Sequence, residues 1–79
     1  MKMHQQYRRI SFGLSLSYED YLEYYQGIAR NVRVRAHNGQ IIVFPAAKLR
    51  PFLVHNGVHG QFVISFDENN KFVSLERYA

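Results

Sequence analysis

The chain is 79 residues long, carries a formal net charge of +4, is 47% hydrophobic and 15% aromatic, and has no cysteine. That composition excludes a disordered chain, a disulfide-stapled scaffold and any chemistry that needs a thiolate. No apolar run approaches the ~20 residues that a bilayer span requires, and Met1 to Gln6 lack the apolar segment of a secretory leader. One domain over residues 7–79, preceded by a flexible tail over residues 1–6, is the expected layout of a cytoplasmic protein.

Residues 7–16 alternate, with Ile10, Phe12, Leu14 and Leu16 on one side and Arg9, Ser11, Gly13 and Ser15 on the other. This period of two predicts a half-buried strand. Ser17 ends it and is placed to cap a helix, with Asp20 at the third helical position and Glu19 and Asp20 where the helix dipole favours negative charge. Tyr18, Tyr21, Leu22 and Tyr25 recur at helical spacing, Tyr24 falls outside that stripe, and Gly27 is a natural stop.

The centre of the chain is Arg30 to Phe44, two alternating runs joined by Asn38-Gly39. Asn-Gly is the favoured centre of a two-residue type I′ hairpin loop, which needs positive φ at both positions. A loop of that length sets Ala36 opposite Ile41, Val34 opposite Val43 and Arg33 opposite Phe44. Val34, Ala36, Ile41 and Val43 then form the core face, and Arg33, Arg35, Ile42 and Phe44 share the other. Ile41 to Phe44 is apolar on both faces, so something must cover each.

Pro45 to Arg50 reads as a short helical turn stopped by Pro51, with Leu49 and Phe52 as anchors. Leu53 to Gly60, with a second Asn-Gly pair, reads as a tight loop. Phe62, Ile64 and Phe66 alternate into a last hairpin that turns at Asp67 to Lys71 and returns through Val73 and Leu75. An even-length loop pairs Phe66 with Val73 and Ile64 with Leu75. The order is β-α-β-β-(short turn)-β-β, an α+β fold with one short helix on a curved antiparallel sheet of about five strands. Pairing of the first strand with the last would make it a partial barrel.

Charge is unevenly distributed. The acids lie at Glu19, Asp20 and Glu23 and at Asp67, Glu68 and Glu76, whereas Arg30, Arg33, Arg35, Lys48 and Arg50 fall in an acid-free stretch from Tyr24 to Phe66. Such an excess focuses positive potential, although solubility together with pairing to the acidic helix is the plainer explanation. Guanidinium groups bind phosphate bidentately and a strand aromatic can stack a base. Arg30, Arg33, Arg35, Phe44, Lys48 and Arg50 are therefore the candidate ligand-binding set, with RNA or an acidic protein as partner. Tyr24, Ile42 and Phe44 are the candidate anchors if the same face instead meets a protein partner or a second copy.

Other chemistry has less support. His55 and His59 are four apart, with His4 and His37 free to join them, but the surrounding glycines favour a loop and no cysteine or nearby carboxylate completes a metal set. The serines at 11, 15, 17, 65 and 74 lack a Gly-x-Ser-x-Gly elbow or a recognisable base. No glycine-rich phosphate loop exists. Neither catalysis nor a metal, cofactor or membrane partner is expected.

Tyr21-Leu-Glu-Tyr-Tyr-Gln-Gly27, the Arg30–Arg35 strand, Phe44-Pro-Ala-Ala-Lys-Leu-Arg-Pro-Phe52 and His59-Gly-Gln-Phe62 together resemble a family of small bacterial proteins known as a domain of unknown function. The resemblance runs from about Tyr7 to Arg77. It implies a stand-alone bacterial cytoplasmic protein and assigns no residue a role.

Overall fold

The computed structural model describes residues 7–27 and 29–79, so the tail expected over residues 1–6 lies outside the described residues. The alternating first segment forms β1 (Arg8–Leu16), and the capped segment forms α1 (Tyr18–Tyr25). The Ser17 hydroxyl accepts the Asp20 N–H at 3.1 Å, which satisfies one of the four N–H groups a helix leaves open at its start. The central hairpin is β2 (Asn31–Arg35) and β3 (Ile41–Pro45). A 3₁₀ helix over Ala46–Phe52, β4 (Val58–Phe66) and β5 (Phe72–Arg77) complete the chain.

The element order agrees with the sequence reading, but the sheet does not close. Five strands form two antiparallel sheets, a three-stranded β1-β4-β5 and the two-stranded β2-β3. β1 pairs with β4, from Arg8 opposite Phe66 to Leu16 opposite Val58, and not with the last strand. β4 is thus the centre of its sheet. The hairpin lays one face over this sheet, and its tip is held by the His37 N–H donating to the Ser11 carbonyl at 2.9 Å.

The hairpin register differs by one residue from the expectation. Arg33 stands opposite Val43, Val34 opposite Ile42 and Arg35 opposite Ile41. Gly39 takes the positive φ, 91°, while Asn38 does not, so no type I′ turn forms. His37, Asn38 and Gly39 make a three-residue loop instead. It is closed by Gly39 N–H donating to the Ala36 carbonyl at 2.9 Å and Ala36 N–H to the Gln40 carbonyl at 2.7 Å. The Asn38 side-chain carbonyl accepts the Gln40 N–H at 2.9 Å and fixes the bend from within.

An odd loop turns β3 over. Ile42 and Phe44 point inward at 5% and 2% exposure, while Ile41 and Val43 point outward at 43% and 54%. Phe44 packs on Phe12 with ring centroids 5.6 Å apart, Phe12 stacks on its cross-strand neighbour Phe62 at 5.6 Å, and Phe52 meets Phe62 edge-on at 5.2 Å. These rings join the two sheets. Val32 and Val34 from β2, Ala36 just after it and Leu49 from the 3₁₀ helix join the same core.

Three smaller departures have local causes. The 3₁₀ helix continues through Pro51 to Phe52, with the Leu53 N–H reaching the Arg50 carbonyl. The tight loop is confined to Val54–Gly57, and Gly60 already belongs to β4, opposite Leu14. In the last hairpin Ile64 does pair with Leu75, but a bulge at Ser65 and Phe66 brings Phe72 opposite Phe66 and leaves Val73 exposed. The bulge absorbs the Asp67 turn, where the carboxylate accepts the N–H groups of Asn69 and Lys71 at 2.8 and 2.9 Å.

Candidate functional site

The last turn of α1 and the start of the 3₁₀ helix enclose a groove of about 430 Å³. Tyr21, Tyr24 and Tyr25 supply one wall because they recur at helical spacing near the end of an eight-residue helix. Pro45, Ala46 and Ala47 form the opposite wall, where β3 passes into the 3₁₀ helix. Arg30 enters from the base of β2, held there by its carbonyl accepting the Ala46 N–H at 2.9 Å, and Arg50 enters one helical turn beyond Ala47. The volume lies in the range of small-ligand sites.

The charge of this groove has one sign, since no carboxylate is among its lining residues. Among the described residues the one ion pair is Arg9–Glu76, at 3.7 Å and exposed on both sides. No carboxylate of α1 forms an ion pair with Arg30, Arg33, Arg35, Lys48 or Arg50 among the described residues, which removes pairing from the plainer explanation and leaves solubility. The Arg30 guanidinium has no hydrogen-bond or ion-pair partner among the described residues. Arg50 lies over the Tyr25 ring with its guanidinium carbon 5.4 Å from the centroid, which leaves the fork's N–H donors open. Arg50 over its phenol ring, with Arg30 and two further tyrosines in the same lining, forms a surface that can meet phosphate and flat aromatic groups together.

The sequence candidates separate into four places. Arg30 and Arg50 meet in the groove, together with Tyr24, which is half-buried against the core and not outside the helix's packed face as expected. Arg33 and Arg35 stand on the outer face of the hairpin beside Val43 and Ile41. Lys48 is drawn away, its ammonium 4.5 Å from the centroid of the Phe72 ring. Ile42 and Phe44 are core residues, and this corrects their assignment to a ligand face or an interface: a ring sealed against Phe12 cannot stack a base.

Residues 8–78 match a family model described as a protein of unknown function, DUF2835. The chain belongs to that family. No curated protein and no solved structure matches it. The site of this DUF2835 chain therefore rests on its own geometry.

Two features escaped the sequence reading. Tyr25 and Pro45 line the groove, and the adjacent tyrosines at the end of the helix were the available signal. Ser15 and His59 face each other across β1 and β4, with Oγ and Nδ1 2.9 Å apart, and His59 Nε2 is 2.7 Å from the Asn56 carbonyl oxygen. A carbonyl only accepts, so Nε2 carries the hydrogen and Nδ1 accepts from the hydroxyl. That is the bond order of a Ser–His dyad, but it sits on a strand pair and neither residue lines the groove. The other histidines in the described DUF2835 fold are placed apart. His37 Nε2 is 2.8 Å from the Gln61 side-chain oxygen and His55 is exposed in the Val54–Gly57 turn. Among the described residues no three His, Cys, Asp or Glu side chains gather where they could hold a metal ion, and no helix is long and apolar enough to cross a membrane.

Proposed function

We propose that this protein is a non-catalytic binding module whose partner is single-stranded RNA, engaged by the groove between α1 and the 3₁₀ helix. The reading rests on one observation, the convergence of Arg30 and Arg50 with Tyr21, Tyr24 and Tyr25 in a concavity that no carboxylate lines. Phosphates would meet the guanidinium forks while unpaired bases lie against the phenol rings. A duplex offers no such free base faces. The cysteine-free composition suits a reducing compartment such as the cytoplasm.

The test is an NMR titration with a short uridine oligonucleotide and, separately, an acidic peptide, each at low and high salt. The RNA should shift the signals of Tyr24, Tyr25, Arg30 and Arg50 and bind more weakly as salt rises. Arg30→Ala with Arg50→Ala should remove the binding while leaving the melting temperature close to that of the parent. Absence of RNA shifts, or an equal response to the peptide, refutes the reading. A protein-interaction or homodimer module is the second reading, favoured by the exposure of Ile41 and Val43 on the hairpin, and a concentration-dependent sedimentation profile would support it.

A further inference from the structure

Pro45 is shared by the groove and the hairpin. Pro45 lines the groove and is also the first residue of the outward row Pro45, Val43, Ile41 on β3. Opposite that row, in register, stand Asn31, Arg33 and Arg35. The outer face of the hairpin is therefore continuous with the groove and carries its own cations. Arg33 has no hydrogen-bond or ion-pair partner among the described residues, and Arg35 makes one long bond, 3.3 Å, to the Gly39 carbonyl. Neither makes an ion pair with a carboxylate among the described residues. Across the strand pair from them, the exposed Val43 and Ile41 add two aliphatic side chains.

We infer that the RNA lies lengthwise on this ribbon, entering the groove at one end and crossing Pro45 to reach Arg33 and Arg35, so that the site takes about four nucleotides of a single strand. The inference rests on the groove reading above and extends it. Successive residues on one face of a strand are ~6.6 Å apart, a spacing at which Arg33 and Arg35 can meet successive phosphates of an extended chain. The charge favours this occupant over a second copy of the protein, because an isologous pairing would bring two positive faces together with no acid in the row to relieve them. A free nucleotide would leave the ribbon unused.

The experiment compares 5′-phosphorylated uridine di-, tetra- and hexanucleotides, one phosphate per nucleotide, on the full chain, by fluorescence anisotropy over a range of salt concentrations. Two further charge-assisted contacts should tighten binding roughly tenfold from the dinucleotide to the tetranucleotide, with little further gain at six. The salt dependence of the tetranucleotide should steepen from a log–log slope of about −1.4 for two neutralised phosphates to about −2.8 for four. Arg33→Ala with Arg35→Ala should return the tetranucleotide to the dinucleotide's affinity and slope and leave dinucleotide binding unchanged. Both positions are exposed, so the fold should survive, and an unchanged thermal melt verifies it. Dinucleotide binding without gain on lengthening, or a tetranucleotide slope that the double variant does not alter, overturns this inference and leaves the groove reading standing. No binding at any length overturns both.

Discussion

Isoleucines 41 and 42 allow one chemical change to be made on either side of a strand. Ile42→Val removes a methylene from a side chain 5% exposed, opposite Val34 in the core, whereas Ile41→Val removes the same group from a side chain 43% exposed on the outer face. Isoleucine and valine share β-branching and a similar preference for strands, so the backbone contribution cancels. A buried methylene is worth about 0.8 kcal/mol, and the cavity left behind brings the cost of Ile42→Val to about 0.5–1.5 kcal/mol. For a chain of this size that lowers the melting temperature by roughly 4–8 °C per kcal/mol. At position 41 the change should stay within about 0.5 kcal/mol. Phe44→Ala would be a cruder probe, since its cost of about 3–5 kcal/mol approaches the ~4–12 kcal/mol total expected for a chain of this length. Urea denaturation followed by circular dichroism, with the m-value held as a check on two-state behaviour, measures both variants. A larger loss at 41 than at 42 would mean that the hairpin turns on two residues, and the assignment of Phe44 to the core would fail with it.

Two further substitutions examine the packing. Gly57 has φ of 112°, and a Cβ there would fall on the Leu16 carbonyl oxygen at the β1–α1 junction. Backbone strain alone costs about 1–3 kcal/mol, so Gly57→Ala should lose more than ~3 kcal/mol once the junction is also displaced, and a melting temperature within a few degrees of the parent would refute the close approach. Ser65 is 3% exposed and its hydroxyl has no partner among the described residues. Ser65→Ala should therefore be neutral or stabilise by up to ~1–2 kcal/mol, and a clear loss in chemical denaturation would reveal a bond to that hydroxyl.

Most of the fold could be read along the chain because local rules agreed with one another. The alternation of Ile10, Phe12, Leu14 and Leu16 gave β1, and Ser17 with Asp20 fixed the start of α1 at the residue where the cap bond forms. Ile64 and Leu75 paired as their positions required. The candidate site was less legible. Arg30 and Arg50 are far apart in sequence and meet because β2 and the 3₁₀ helix are brought together at the base of the hairpin, where the Ala46 N–H reaches the Arg30 carbonyl. Tyr24 looked misplaced on a helical wheel, yet the helix rests on its Tyr21 and Tyr24 side and leaves Tyr25 stacked beneath Arg50.

What the sequence determined by itself was the type and order of the elements, the inward face of β2, and the concentration of cations in the middle of the chain. What the tertiary structure alone decided was the face of β3. Asn-Gly suits a two-residue loop, but its glycine serves equally as the left-handed position of a three-residue one, and Ile-Ile-Val-Phe is apolar in both parities. Local preference was therefore degenerate. The choice was made at a distance, by the His37 N–H bonding to Ser11 on β1 and by the Phe44 ring fitting between the sheets against Phe12, a contact available to one register and not to the other.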